Sequence, residues 1–206
     1  MKELKLKISH TEAHTDLLGP GDRFVVWVHG CCFDCEGCLA LNTRFGAYQE
    51  VTVHDLAERI KNSGCDGITV SGGEPFLQAE ALGELVRNVQ AERDIGVIIY
   101  SGFTLEELRD RGEFTGLLSM TDILIDGRYE KNLDDGRAYI GSSNQRLFYL
   151  TDRYKKSGEI YYAAEKRRAK IKFSADRVTL IGVPSAGVLK IWNEIKAKNG
   201  GAANDF

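Results

Sequence analysis

The chain has 206 residues, 43% of them hydrophobic, which suffices for one substantial core and predicts a single domain over residues 1–206. The formal net charge is only −3 and both signs are spread along the sequence, so no basic stripe indicates a nucleic-acid partner. The amino terminus lacks the apolar core of a signal peptide, and no apolar run reaches the roughly 20 residues of a bilayer span, so we expect no membrane association and a cytoplasmic location.

Apolar runs alternate with helical patterns over the first two thirds of the chain. Short apolar or period-two runs predict strands, and apolar residues at helical spacing predict the helices between them. In chain order the predicted elements are strands over 4–8 and 23–29, a helix over 51–60, a strand over 67–70, a helix over about 77–91, a strand over 95–100, a helix over 104–111 that begins with a Thr104–Glu107 capping box, and a strand over 122–126, with a loop over 11–22. This alternation is typical of parallel βαβ units, and we expect an α/β fold of the partial (β/α)6-type barrel kind with parallel strands.

The last third of the chain follows a different pattern. Residues 167–173 and 177–183 predict an antiparallel β-hairpin with its turn at 174–176, and Pro184 opens a final helix. Residues 199–206 carry no regular pattern and are predicted to be frayed or disordered. We therefore divide the domain into a core over about 23–146 and a C-terminal extension, the hairpin and helix, over about 147–198.

Four of the five cysteines lie within residues 31–38, directly after a predicted strand. Because a reducing cytoplasm disfavours disulfides, this density indicates metal binding or redox chemistry. The spacing that starts at Cys32 begins like that of a bacterial ferredoxin, but Asn42-Thr43 stands where the ferredoxin pattern has Cys-Pro. A zinc site is disfavoured because structural zinc usually takes its ligands from two separated pairs. The fifth cysteine, Cys65, is interpreted as a semi-buried thiol that precedes a strand.

The other spacing, Cys31-x3-Cys35-x2-Cys38, suits a 4Fe–4S cluster in which one iron has no protein ligand, because a short loop wraps three corners of the cluster and not the fourth. This spacing resembles the motif of the radical S-adenosylmethionine (radical SAM) superfamily. The resemblance implies that Cys31, Cys35 and Cys38 are the metal ligands and that Cys32 is a bystander. It also implies that the cofactors are a 4Fe–4S cluster and S-adenosylmethionine (SAM).

A second motif, Ser71-Gly72-Gly73-Glu74-Pro75, follows one βα unit later and resembles the GGEP motif of the same superfamily. Glycine permits close approach of the backbone to a ligand. The resemblance implies that this turn binds the methionyl end of SAM, with the Glu74 carboxylate facing the ammonium group.

Further cofactor contacts are implied by the later strand ends of similar enzymes. These point to Tyr100 and Ser101 at the end of one strand and to Asp126 and Arg128 at the end of the next, and they place the backbone of Gly37 near adenine. A turn or capping role is the alternative for Ser101 and Asp126. The polar stretch 133–146 is a candidate for substrate or partner contact, or a solvated loop. The spacing of the histidines at positions 10, 14 and 54 indicates no metal site.

Within the superfamily, three stretches are similar to the activating proteins of anaerobic ribonucleotide reductases: residues 35–38 (Cys-Glu-Gly-Cys), 123–129 and 141–146 (Gly-Ser-Ser-Asn-Gln-Arg). The similarity implies an anaerobic oxidoreductase that cleaves SAM reductively to a 5′-deoxyadenosyl radical and makes a glycyl radical on a large partner protein. An electron donor such as flavodoxin or ferredoxin is implied as well. The chain departs from the pattern of these activating proteins at three places. It lacks Asn-Pro after Cys38, it has Arg128 where a proline is common, and it carries the C-terminal extension over about 147–198. The alternatives are a radical SAM enzyme that modifies a peptide or small molecule, and a non-catalytic iron–sulfur or zinc module.

Overall fold

The structure, a computed structural model, describes residues 3–163, 167–173, 178–199 and 203–205. The strands are β1 (Lys5–Thr15), β2 (Arg23–Val28), β3 (Gln49–Thr52), β4 (Gly67–Gly72), β5 (Gly96–Tyr100), β6 (Ile123–Asp126), β7 (Arg146–Tyr149), β8 (Ala169–Phe173), β9 (Val178–Gly182) and β10 (Ala203–Asp205). The α-helices are α1 (Asn42–Phe45), α2 (Val53–Ser63), α3 (Ala79–Gln90), α4 (Leu105–Arg109), α5 (Thr115–Leu118), α6 (Lys155–Tyr162) and α7 (Ala186–Asn199). No helix in these described ranges is both long and apolar enough to cross a bilayer.

The larger of two sheets has seven strands in the order β3-β1-β2-β4-β5-β6-β7. Its centre, β2, β4, β5 and β6, is parallel, whereas β1, β3 and β7 pair antiparallel toward the edges. All residues of β2 and β6 are buried, as expected for parallel strands covered on both faces. The predicted α/β fold with parallel strands is therefore confirmed, while the curvature of a partial (β/α)6 barrel stays a prediction.

Helices α2 and α3 cover one face of this sheet. Each presents a buried apolar stripe, which includes Leu56 and Ile60 of α2 and Leu82 and Val86 of α3. Helix α2 begins where the Thr52 hydroxyl accepts a hydrogen bond from the amide of residue 55. The predicted capping box at Thr104 and Glu107 is present at the start of α4.

The opposite face is covered by α6 and by a smaller sheet of order β10-β9-β8. Strands β8 and β9 are antiparallel, so the predicted hairpin is confirmed, although its turn at 174–176 lies outside the described residues. Trp192 of α7 is fully buried against Val178 and Leu180 of β9. The predicted frayed tail is wrong for residues 203–205, because they form β10 and pair in parallel with β9.

Several elements at the edges of the large sheet differ from the prediction. Strand β1 continues to Thr15 through a bulged pairing with β2, so the loop predicted over 11–22 is shorter. Strands β3 and β7 and helix α6 had not been predicted. They are short or mostly exposed. Strands β3 and β7 are stabilised by pairing with β1 and β6, and α6 packs through Tyr162 on a buried cluster of β5 and β6.

Candidate active site

Four loops meet at the carboxyl edge of the parallel strands, where ligands bind in open α/β sheets. They follow β2, β4, β5 and β6, and a cavity of about 180 Å³ lies between them. Its lining comprises Cys31, Phe33, Cys35, Cys38, Leu39, Ala40, Ser71, Gly72, Gly73, Glu74, Tyr100, Ser101, Gly102, Gly127, Arg128, Tyr129, Gly141 and Gln145. The cavity thus collects residues of both sequence motifs and of both later strand ends.

The cysteine loop contributes three thiols to this cavity. Cys31, Cys35 and Cys38 line it and are partly buried, whereas Cys32 is exposed and is not among the lining residues. Burial raises the pKa of the Cys31 thiol to about 11 and also raises the pKa of Cys38. These thiols are therefore protonated when free, and a metal must displace their protons in order to bind.

Phe33, inside the cysteine loop, fixes that loop against the end of β5. Its ring meets the ring of Phe103 edge-on, with centroids 4.8 Å apart, and the Arg128 guanidinium lies 4.5 Å from the Phe33 centroid. A Cβ on Gly102 would lie 2.5 Å from the Phe33 ring, so only glycine leaves room for this contact. Arg128 thus packs directly on the cysteine loop.

The Gly-Gly turn after β4 lies in direct contact with the cysteine loop. The Glu74 amide donates to the Gly30 carbonyl oxygen at 2.8 Å, and the Gly73 amide donates to the Val28 carbonyl oxygen at 2.9 Å. A Cβ on Gly73 would lie 2.0 Å from the Gly30 oxygen, and Gly72 has a φ of +100°, which favours glycine. The two motifs therefore form one hydrogen-bonded unit.

Gly73→Ala is expected to separate the two motifs and to lower the rate of SAM cleavage by about 100-fold, the effect of a misplacement on the order of 1 Å. The measurement is 5′-deoxyadenosine formation by the anaerobically reconstituted, dithionite-reduced variant. The control is Gly116→Ala in α5, where a Cβ meets no atom within 4 Å. Equal activity of both variants would contradict the close approach.

The Glu74 carboxylate is 1% exposed and accepts hydrogen bonds through both oxygens. Oε1 accepts from the Phe76 amide at 3.0 Å and from the Ser101 hydroxyl at 2.9 Å, and Oε2 accepts from the Gly102 amide at 2.7 Å. Burial raises its pKa to about 7, since these donors only partly replace the lost water. In this structure Glu74 therefore holds the turn after β5 against the turn after β4. Its predicted contact with the methionyl ammonium stays a prediction.

Asp126 lies outside the cavity, in contrast to Tyr100, Ser101 and Arg128, which line it. Its carboxylate is fully buried and accepts from the Leu105 amide at 2.6 Å and from the Arg146 guanidinium at 2.6 and 3.0 Å. Both Asp126 oxygens thus accept hydrogen bonds from groups at the start of α4 and on β7. The structure favours the capping alternative for Asp126 over a contact with the methionyl carboxylate.

Two further predicted residues also stand apart from the lining. Pro75 is buried and begins a single 3-10 turn over Pro75–Gln78. Gly37 has a φ of +74°, and a Cβ there would lie 3.3 Å from the Lys131 side chain and 3.7 Å from the Tyr129 ring. The ring of Tyr129, which lines the cavity, therefore lies next to the glycine expected near adenine.

Comparison with known proteins agrees with this arrangement. Residues 17–148 match the family described as "4Fe-4S single cluster domain". The anaerobic ribonucleoside-triphosphate reductase-activating protein of Enterobacteria phage T4 is 37% identical over 143 residues, which cover 65% of this chain and 88% of that protein. Its counterpart in Vibrio cholerae is 34% identical over 146 residues, 65% of this chain and 91% of that protein. The pyruvate formate-lyase 1-activating enzyme of Escherichia coli K12 is 31% identical over 137 residues, 62% of this chain and 54% of that enzyme.

The chain belongs to the radical SAM activases of glycyl-radical enzymes. Enzymes of this family use a 4Fe–4S cluster and SAM. The residues present fit both cofactors, because three thiols of the required spacing line one cavity and the adjoining Gly-Gly turn leaves backbone rather than side chains at its wall.

The sequence of this radical SAM activase is compatible with two roles for residues 133–146, contact with the substrate or partner and a solvated loop. Gly141 and Gln145 line the cavity, and Gln145 donates to the Gly127 carbonyl oxygen at 2.8 Å while it accepts from the Gly141 amide at 2.8 Å. The end of this stretch therefore forms a wall of the site. Leu39 and Ala40 also line the cavity, although the only signal for them in the sequence is that they follow the cysteine motif. Tyr129, another lining residue, ends the family-like stretch 123–129.

A second cavity of about 200 Å³ adjoins the first and connects the activase core to its C-terminal extension. The two cavities share Cys38, Leu39, Ala40, Ser71, Tyr100 and Gly141. Its outer wall is mostly apolar and is formed by residues of β9, α7 and the segment between them: Leu180, Gly182, Val183, Pro184, Leu189, Trp192 and Lys196. This wall lies beyond residues 17–148, the part that matches the family.

Proposed function

We propose that this activase makes a glycyl radical on a partner protein of the anaerobic ribonucleotide reductase type, with the cavity at the carboxyl edge of the large sheet as its active site. The observation that carries the proposal is the meeting of the three cysteines and the Gly-Gly turn at one cavity. Cys31, Cys35 and Cys38 would hold the 4Fe–4S cluster and leave one iron for SAM.

The remaining site residues would bind and orient SAM. Residues 71–73 offer backbone to its methionyl end, and Tyr100, Ser101 and Arg128 lie on the cavity wall where the ribose and the carboxylate would be contacted. Glu74 positions Ser101 and the following amide. When bound, the reduced cluster supplies the electron that cleaves SAM to methionine and a 5′-deoxyadenosyl radical. The protein orients the cofactor and excludes water, which the apolar side chains of Leu39 and Ala40 favour.

We further propose a cytoplasmic enzyme without nucleic-acid or membrane partners, reduced by an electron donor such as flavodoxin or ferredoxin. The low net charge and the absence of an apolar span from the sequence support this assignment. Residues 1–206 would act as one domain, with the parallel strands of the core curved as a partial (β/α)6-type barrel. The parallel pairing of β2, β4, β5 and β6 supports the parallel part of this architecture.

The test uses anaerobically reconstituted, dithionite-reduced protein with SAM and a reductase of this type. We expect 5′-deoxyadenosine together with a glycyl-radical signal in electron paramagnetic resonance. 5′-Deoxyadenosine without a glycyl radical on such a reductase would favour modification of a peptide or small molecule. Failure to form 5′-deoxyadenosine at full iron loading would favour a non-catalytic iron–sulfur module.

The second cavity supports a place for the partner segment, because it joins the active site through six shared residues and is walled by apolar side chains of the extension. Leu189→Arg is expected to lower the glycyl-radical yield about tenfold or more, since an unpaired charge enters an apolar contact. SAM cleavage without the partner should stay within about twofold, because the substitution lies outside the SAM cavity.

The matched control is Ile191→Arg, which places the same charge on the same helix at a side chain that is 54% exposed. It should leave both readouts unchanged. A loss of SAM cleavage in Leu189→Arg would show that the extension supports the cofactor site rather than the partner.

A further inference from the structure

Three side chains that are distant in sequence meet at the amino edge of the large sheet, at the opposite end of its parallel strands from the active site. His14 lies near the end of β1, Asp22 precedes β2, and Cys65 precedes β4. Each residue offers one ligand atom, and these three atoms lie within 4.8 Å of one another. They are the Nδ1 of His14, a carboxylate oxygen of Asp22 and the Sγ of Cys65. Neither the active site nor the family's cysteine motif uses this group.

The distances in this group fit a small metal ion. The His14 Nδ1 lies 3.8 Å from the Cys65 Sγ and 2.7 Å from the Asp22 Oδ2. Tetrahedral zinc, with bonds of about 2.0–2.3 Å, places its ligand atoms roughly 3.3–3.8 Å apart. The His–Cys distance is already in this range, and the His–Asp hydrogen bond needs to lengthen by only about 0.6 Å.

The donor set and the local charge favour a thiophilic cation. Imidazole nitrogen, thiolate sulfur and carboxylate oxygen are the three ligand types of protein zinc sites. Asp66 lies beside the group, because the Asp22 amide donates to its carboxylate at 2.8 Å. Among the described ion pairs, His14 is the sole partner of Asp22 and none involves Asp66. The Arg93 guanidinium donates to the Cys65 carbonyl oxygen at 2.7 Å rather than to either carboxylate.

The backbone presents His14 to the other two residues. His14 has a φ of +60°, which is uncommon outside glycine, and it lies in the irregular stretch of β1 between Glu12 and Thr15. Irregular strand positions of this kind re-aim side chains. The His14 side chain is 61% exposed, so an ion has access from solvent and a water can complete the coordination.

A catalytic cysteine–histidine pair does not explain the same contacts. The Cys65 side chain is only 1% exposed and cannot reach a substrate. The same His14 nitrogen, Nδ1, faces both the thiol and the carboxylate, so the imidazole cannot pass a proton from one to the other through its two nitrogens. A metal ion bound to the His14 Nδ1, in contrast, would lie next to both the Cys65 Sγ and the Asp22 carboxylate.

We propose that His14, Asp22 and Cys65 bind one Zn²⁺ ion, with water as the fourth ligand. The imidazole binds as the neutral base through Nδ1, and the thiol releases its proton to solvent as the zinc–sulfur bond forms. The ion joins β1, the segment before β2 and the segment before β4, and therefore stabilises the amino edge of the sheet. This inference does not depend on the proposed reaction with a glycyl-radical partner.

The test uses the full chain with its iron–sulfur cluster already loaded, so that the loop cysteines are occupied. After incubation with zinc and desalting under anaerobic conditions, elemental analysis should find about one zinc per chain with unchanged iron. His14→Ala, which alters an exposed side chain, and Cys65→Ser should both lose this zinc. His54→Ala, an exposed histidine on α2 outside the group, is the matched control and should retain it.

A second measurement does not depend on the cluster. In a Cys31→Ser/Cys35→Ser/Cys38→Ser chain, Co²⁺ should give thiolate charge-transfer absorption that disappears when His14→Ala or Cys65→Ser is added. His14→Ala decides the outcome if Cys65→Ser fails to fold. Zinc retention by His14→Ala equal to that of the parent, or no retained zinc in the parent, would overturn the proposal.

Discussion

Alanine at Cys31, Cys35 or Cys38 is expected to lower SAM cleavage by about 1,000-fold or more, to the level of cluster-free protein, whereas Cys32→Ala should retain most activity. Each of the three thiols lines the cavity that we propose as the active site. In that proposal each thiol would hold one corner of the cluster, so the loss of one ligand would cost one iron or the whole cluster. Cys32 is exposed and stands outside the lining. The measurements are iron and sulfide content and 5′-deoxyadenosine formation after anaerobic reconstitution.

Cys32→Ala is the matched control, because it removes an adjacent thiol of the same loop. The opposite result, an inactive Cys32→Ala with an active Cys31→Ala, would show that the ligands follow the other spacing, which starts at Cys32. Cys65→Ala should keep the full cluster, since Cys65 is buried in the core at the other edge of the sheet.

Glu74→Gln is expected to lower SAM cleavage by about 10- to 100-fold through misplacement of the turn after β5. A glutamine retains one carbonyl oxygen for the Phe76 amide and the Ser101 hydroxyl, but its amide group then faces the Gly102 amide, donor against donor. The same substitution should also change the pH dependence of stability. Such a change identifies the loss of the titratable carboxylate, because a general loss of packing would lower stability equally at every pH.

The pH dependence follows from the raised pKa of Glu74, about 7 in the folded protein against 4.5 for an ordinary glutamate. The folded state binds the Glu74 proton more tightly than the unfolded state does, so protonation of Glu74 stabilises the fold. This stabilisation is fully present below pH 4.5 and is lost as the pH rises through 7. Between pH 5 and pH 8 the free energy of unfolding of the cluster-free wild type should fall by about 2–3 kcal/mol more than that of Glu74→Gln.

Urea unfolding of both proteins at the two pH values measures this difference. Glu113→Gln, which alters an exposed carboxylate, is the control and should follow the wild type at both pH values. Parallel stability curves for wild type and Glu74→Gln would contradict the assignment of a protonated, buried Glu74 at low pH.

The site was predictable from sequence where local chain geometry determines it. The three cysteines and the Gly-Gly turn each lie within one short loop after a buried strand, so their spacing and the order of the strands suffice to place them together. For Asp126 and Glu74, however, the sequence does not show whether the carboxylate contacts a cofactor or accepts a hydrogen bond from within the protein. Asp126 pairs with Arg146, and Glu74 accepts from Ser101, 27 residues away. Such partners depend on which loops pack side by side, and a single sequence does not record this.

The same limit applies to the fold. Strands β2, β4, β5 and β6 were predicted because strands covered on both faces need continuous apolar runs. Strands β3 and β7 depend on pairing with a neighbour, and their own residues carry little apolar pattern. The meeting of His14 and Cys65, 51 residues apart, follows from the pairing of β1 with β2 and of β2 with β4, so histidine spacing alone gave no indication of it.

The wall that the two cavities share affects the order of events in catalysis. Ser71 and Tyr100 belong to both cavities, so a segment bound against the extension would lie on the same side chains that are proposed to enclose SAM. Partner docking would then close the solvent path to the reacting carbon and stiffen the SAM site in one event. The enzyme would gain a safeguard against futile turnover: SAM consumption in the absence of the partner should be slow, and it should accelerate when the partner is saturating.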